Sequence, residues 1–251
     1  MQDCKIALVS LLVTANIKEN LIRVAKVTED AHKKGCELVC FPECSLTGLV
    51  DTDDYEHDFK LAEEIPGKVT DDLGNLARNY GIYIAIGLLE REGKNLYDSA
   101  VLFDNKGRIV LKYRRINPKW HSPKSLDFYS EGSDLQSTHT PIGKVAFAIC
   151  GDMFDEKVVA MIQNQKPDYL IVRFYWSFDE FSKEWWNNQE KHVYTQQIAK
   201  IGITSFLINS FESGFKWPSF GGTMVVSKDG NIIAETEPGT PSFLEIQCCR
   251  R

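Results

Sequence analysis

Cys150 closes an apolar run, Val145-Ala-Phe-Ala-Ile-Cys150, and Gly151-Asp-Met-Phe-Asp-Glu156 follows it. The run reads as a strand with a helix behind it. A thiol at that junction would face backbone N–H groups and a helix N-terminus. Both favour the thiolate and can hold an oxyanion. The plainer alternative is a buried, inert cysteine. Glu43 ends a second apolar run, Leu38-Val-Cys-Phe-Pro-Glu43. In a dry pocket its carboxyl pKa would rise, which suits a general base; the alternative is an exposed loop acid. A third cluster, Lys112-Tyr-Arg-Arg115-Ile-Asn117-Pro-Lys119-Trp120, puts cations at a strand end where they could meet a developing negative charge. Its plain reading is a solvated basic face.

Strands and helices must deliver these side chains. Lys5 to Val13 reads as a strand. Asn16 then caps a helix marked by Ile17, Leu21, Val24, Val27 and Ala31, with Glu19 reaching back and Gly35 as the stop. Glu37 to Phe41 is a second strand, ended by Pro42. A helix carrying Val69, Leu73, Leu76 and Tyr80 leads to a strand from Ile82 to Leu89. Leu96 to Phe103 and Arg108 to Tyr113 form a hairpin about Asn105-Lys106-Gly107. The stretch from Ile116 to Thr140 loses periodicity and reads as a long loop. Val145 to Ile149, Tyr169 to Val172 and Ser205 to Asn209 are strands. A helix runs on to Gln165 and another spans Glu184 to Ile201. Met224 to Ser227 and Ile232 to Glu235 form a last hairpin at Asp229-Gly230. Strands alternating with helices, interrupted by hairpins, give an α/β class with a mixed sheet. No internal repeat or low-complexity linker breaks the chain, so residues 1–251 read as a single domain.

Taken together, Phe41-Pro42-Glu43, Tyr113-Arg114-Arg115 and Ile149-Cys150-Gly151-Asp152 resemble the nitrilase superfamily of carbon–nitrogen hydrolases. Gly48, Pro66-Gly67, Asn95-Leu96-Tyr97-Asp98, Pro141-Ile142-Gly143, Asn209 and Phe220-Gly-Gly-Thr223 fit the same pattern, so the resemblance spans the chain. It implies a four-layer α-β-β-α sandwich, a homodimer or higher homo-oligomer, and cofactor-free, metal-free chemistry. In that scheme Glu43 takes the Cys150 proton and the thiolate attacks an amide, carbamoyl or nitrile carbon. A cation holds the oxyanion, and water then cleaves the thioester. Trp120, Phe154, Tyr175 and Trp176 are expected to bind substrate, with ordinary core packing as the alternative.

The family's lysine falls on Arg115. Arginine keeps the charge but cannot give up a proton at neutral pH. Three readings follow: Arg115 stabilises charge, or Lys112, Lys119 or Lys124 reaches the site, or the chain is an inactive relative that keeps only binding to a small amide-like ligand or a protein partner. Arg115 could also grip a substrate carboxylate. Asn117 and Gly151 stand where many relatives carry a histidine and an aromatic residue, and Arg173 stands where a proline is frequent. Asp127 and Glu131 are the nearby acids considered for a further carboxylate.

Bulk properties narrow the class. A formal net charge of −6 argues against a phosphate-backbone partner. No apolar stretch approaches the roughly 18 residues a bilayer requires. The beginning of the chain reads as a strand and not as a signal peptide, and seven cysteines without an export signal read as reduced thiols in the cytoplasm. Cys36, Cys40 and Cys44 match no zinc spacing. There is no Gly-x-Ser-x-Gly elbow and no phosphate-cradling glycine loop.

Overall fold

The structure is a computed structural model that describes residues 3–48, 54–118, 120–121, 128–177, 182–214 and 218–249. Two six-stranded sheets form its centre. The first contains β1 (Asp3–Ser10), β3 (Leu38–Cys40), β4 (Tyr83–Glu92), β5 (Asn95–Phe103), β6 (Ile109–Arg114) and β14 (Ser242–Cys249), in the order β14-β1-β3-β4-β5-β6. The second contains β7 (Ser137–Thr140), β8 (Gly143–Ile149), β9 (Tyr169–Phe174), β10 (Ser205–Asn209), β12 (Thr223–Val226) and β13 (Ile232–Glu235), in the order β13-β12-β10-β9-β8-β7. A two-stranded ribbon joins β2 (Leu12–Val13) to β11 (Phe211–Glu212).

The middle of each sheet is parallel: β1, β3 and β4 in one, β8, β9 and β10 in the other. Parallel neighbours need crossovers, and helices supply them. On the first sheet these are α1 (Ile17–Lys33), α2 (Tyr55–Leu61) and α3 (Lys68–Tyr80). On the second they are α4 (Glu156–Gln165), then α5 (Lys183–Trp185) continuing through a π turn at Trp186–Glu190 into α6 (Lys191–Ile201). The helix read over 184–201 is therefore present but interrupted by the π turn.

Side-chain alternation assigns the layers. In the first sheet Ile6, Leu8, Leu38, Cys40, Ala85, Ala100 and Leu102 point inward, into one core shared with the second sheet. Ala7, Val9, Val39, Phe41, Ile84, Ile86, Val101 and Phe103 point outward, against α1 and α3. Two sheets face to face with helices outside make the expected four-layer α-β-β-α sandwich.

Local signals account for the boundaries. Asn16 caps α1, its side chain accepting from the Glu19 N–H, while its own amide donates to Glu19 Oε1. Gly81 ends α3 in the left-handed region, at φ 63°. The 116–140 stretch differs from expectation at its end, because Ser137–Thr140 pairs antiparallel with β8. Three further elements were not read from sequence: α2, β11 and β14. Strand β14 runs antiparallel along the whole of β1, from Asp3 opposite Cys249 to Ser10 opposite Ser242.

Candidate active site

In both sheets the side chains of interest leave the carboxyl ends of parallel strands, which is where open α/β sheets hold their ligands. Glu43 follows β3, Cys150 follows β8 and Tyr175 follows β9. Because the sheets face each other, residues 43 and 150 converge on one place despite their separation in sequence.

Glu43 stands in a tight turn pinned to β4. The Gly87 N–H donates to the Pro42 carbonyl at 3.1 Å, and the Ser45 N–H donates to the Gly87 carbonyl at 3.0 Å. The Ser45 hydroxyl also donates to the Pro42 carbonyl, at 2.7 Å. The approach is so close that a Cβ on Gly87 would stand 2.8 Å from the Glu43 Cα and 2.6 Å from the Pro42 oxygen. The turn buries Glu43, leaving it 1% exposed.

Arg115 continues β6. Its N–H donates to the Asp98 carbonyl, and its own carbonyl accepts from the Gly132 N–H, each at 2.8 Å. Alternation sends Leu111, Tyr113 and Arg115 inward and Lys112 and Arg114 outward. Lys112 therefore reaches Glu90 Oε1, at 2.8 Å, which Arg114 also holds, and it is turned away from Glu43. Lys119, Lys124 and Asp127 lie outside the described residues. Arg115 Nη1 lies 3.3 Å from Glu43 Oε1 and 3.6 Å from Asp98 Oδ2, and all three side chains are buried. One guanidinium thus stands between two carboxylates.

Asp98 and Asp152 complete the polar cluster. Asp152 accepts the Tyr113 hydroxyl at 2.6 Å and the backbone N–H groups of Ile116, Asn117 and Ile149 at 3.1, 2.8 and 2.9 Å. It thereby ties the end of β6 to the turn that carries Cys150. Neither acid was singled out as a site residue from sequence. The signal was present: each is a carboxylate beside an otherwise apolar strand, a placement that needs partners.

Cys150 does not sit at the N-terminus of α4. It opens a 3-10 turn, Cys150–Phe154, while α4 begins at Glu156 and takes its cap from the Asp155 side chain. Cys150 holds a left-handed backbone, φ 46°, which costs a non-glycine residue about 1–3 kcal/mol and marks a position fixed by its surroundings. The residue is partly exposed, unlike Cys40 and Cys44, although its thiol is desolvated.

The charges around these groups oppose one another. Burial pushes the Glu43 carboxyl well up, and the neighbouring Asp98 and Cys150 push it further, against the pull of Arg115. Burial also raises the Cys150 thiol, so the thiolate is not favoured outright as its place after a strand suggested. Arg115 and the backbone N–H of Tyr175 work the other way and lower it. For Arg115 itself burial disfavours the charge, but the field of Cys150, Glu43, Asp98 and Asp152 outweighs this and the net shift is upward.

The expected aromatic residues divide. Trp176 is buried beside Phe174 and Tyr194, with ring centroids 4.2 and 4.4 Å away, and Phe154 packs edge-on to Tyr194 while remaining 43% exposed. Tyr175 presents its backbone N–H to Cys150 and its phenol to Glu212. Trp120 stands apart: its ring meets His121 and Tyr129 in a satellite cluster with Ala62, Leu89 and Leu96. Glu131 is engaged by His121, at 2.9 Å. Arg173 is fully buried within the sandwich, 4.0 Å over the Phe147 ring, and its guanidinium nitrogens have no hydrogen-bond partner among the described residues. No His, Cys, Asp or Glu group among the described residues is arranged to hold a metal ion, and no described helix is long and apolar enough to cross a membrane.

Residues 5–247 match the carbon-nitrogen hydrolase family. The chain belongs to this family. An omega-amidase of Xenopus tropicalis is 31% identical over 244 residues, covering 94% of this chain and 85% of the relative. Among solved structures, an amidase of the nitrilase superfamily from Nesterenkonia superposes with a TM-score of 0.82 at 19% identity, covering 97% of this chain and 90% of that one. A carbon-nitrogen hydrolase from Helicobacter pylori gives 0.83 at 19% identity, over 97% and 88%. The last two likenesses establish the fold. Membership places the chain among the carbon–nitrogen hydrolases.

Proposed function

We propose that the chain acts as one hydrolase domain on a small-molecule amide or N-carbamoyl compound, through a thioester on Cys150. The observation that carries this reading is the buried Arg115 guanidinium, 3.3 Å from Glu43 and electrostatically coupled to Cys150. A carboxyl group with a raised pKa can both take and return a proton near neutral pH. Glu43 takes the thiol proton as Sγ attacks the amide carbon. Arg115 and the Tyr175 N–H meet the negative charge that develops. The amine leaves with the proton from Glu43. Water then gives a proton to Glu43 and attacks the thioester, releasing the acid and restoring the thiol. Phe154, Trp176 and, at a greater remove, Trp120 shape the walls. The omega-amidase relative makes short ω-amides the first substrates to test.

The same reading extends to a cytoplasmic homodimer. All seven cysteines are free thiols, as a reducing compartment allows. The exposed side chains of Phe154 and Val193 give an apolar surface that self-association would cover. A purely monomeric species in sedimentation would remove that part.

Ammonia release from ω-amides, short aliphatic amides and N-carbamoyl amino acids tests the chemistry. Turnover is expected in the wild type and absent in Cys150→Ala and Glu43→Gln. Turnover that survives Cys150→Ala would overturn the mechanism. Silence across the panel, with Cys150 no more reactive toward iodoacetamide than the other cysteines, would favour an inactive, ligand-binding relative.

A further inference from the structure

Gly151, directly after Cys150, is not one of the glycines with positive φ, so its backbone does not demand glycine. Space does. A Cβ at residue 151 would stand 2.8 Å from Asn117 Oδ1, closer than packed atoms settle, and 3.0 Å from Arg115 Nη2, tight enough that these side chains would have to give way. The backbone of Arg115 cannot retreat, because its N–H and carbonyl are both held, by Asp98 and Gly132. Nη1 is committed to the Glu43 and Asp98 carboxylates.

We propose that Gly151 is a positioning residue for Arg115. Its missing side chain is the space occupied by the second amino group of the guanidinium. Nη1 then stays on the acid pair while Nη2 lies against the peptide that follows the nucleophile. The proposal rests on the amidase reading of this site. It makes residues 115 and 151 a coupled pair. Arginine carries two amino groups on a planar fork and requires glycine at 151. Lysine ends in a single compact ammonium and tolerates a methyl there. A side chain at 151 would turn the guanidinium away from both Glu43 and the sulfur.

The test is a double-mutant cycle over Gly151→Ala, Arg115→Lys and the pair, with Asn117→Ala/Gly151→Ala as control. Two readouts are taken: kcat/KM for amide hydrolysis and the rate of Cys150 alkylation by iodoacetamide at pH 8. Gly151→Ala is expected to lower both by about tenfold, a mid-range coupling for residues in contact. Arg115→Lys in that background is expected to restore most of the loss, and Asn117→Ala is not. Wild-type rates in Gly151→Ala, strictly additive losses in the pair, or rescue by Asn117→Ala each overturn the proposal. If Gly151→Ala does not fold by circular dichroism, a folded Arg115→Lys/Gly151→Ala supports it and an unfolded one overturns it. If the wild type hydrolyses no amide, the amidase reading fails on that arm while the alkylation cycle still decides the pair.

Discussion

Replacing Arg115 by methionine removes one positive charge from between two buried carboxylates and keeps most of the side-chain volume. At an effective dielectric of about 20, unit charges at 3.3 and 3.6 Å attract by about 5 kcal/mol each, before the cost of desolvating them. Breaking a buried pair by removing one partner costs a net of about 3–5 kcal/mol, because the other charge is left uncompensated. Glu43 and Asp98 would relieve this by binding a proton. The Glu43 carboxyl already lies above its ordinary range. Without Arg115 it rises further, so the stability lost is largest at high pH and shrinks as the pH falls and Glu43 takes up its proton. Urea unfolding at pH 8 is expected to show a loss of about 3–5 kcal/mol, and at pH 5 a distinctly smaller one. At about 2–4 °C per kcal/mol, the pH 8 melting point should fall by about 10 °C. The acid limb of kcat/KM should move upward in the residual activity. An equal loss at both pH values together with an unmoved acid limb would refute the claim that Arg115 compensates the acid pair.

Two other substitutions follow from close contacts and buried charge. Gly87→Ala should destabilise by about 1–3 kcal/mol in urea melts and lower kcat more than it raises KM, since its Cβ would displace the turn that presents Glu43. Unchanged stability would mean the turn relaxes freely. Arg173→Met should stabilise the fold by about 1–4 kcal/mol, because a buried cation without hydrogen-bond partners among the described residues gains little for its desolvation. Burial lowers the Arg173 pKa to about 10, so the guanidinium is charged at both pH 6 and pH 8 and a gain should appear at each. A loss of stability would show that the Phe147 contact outweighs desolvation.

The sequence by itself determined the layer class, because the short unbroken apolar run over 82–89, bounded by Gly81 and a charged stretch, reads as a strand covered on both faces, and apolar residues near period 3.6 over 69–80 read as a helix with one buried side. It also marked Glu43 and Cys150, since a polar group ending a buried strand must either find a partner or do chemistry. It did not reveal β14. The alternation of Leu244, Ile246 and Cys248 with Glu245 and Gln247 is present, but only β1, more than 230 residues earlier, shows where that strand pairs. The fate of the cations was equally invisible. Lys112 and Arg115 are three apart in one basic cluster, and only the direction of β6 sends the first to Glu90 and the second to Glu43. Nor did the run after Cys150 disclose the 3-10 turn that comes before α4. Periodicity is a property of the chain, and so it can be read there. The balance that sets a carboxyl pKa depends on which charges share a low-dielectric space, and that is decided only when two sheets, remote in sequence, close on each other.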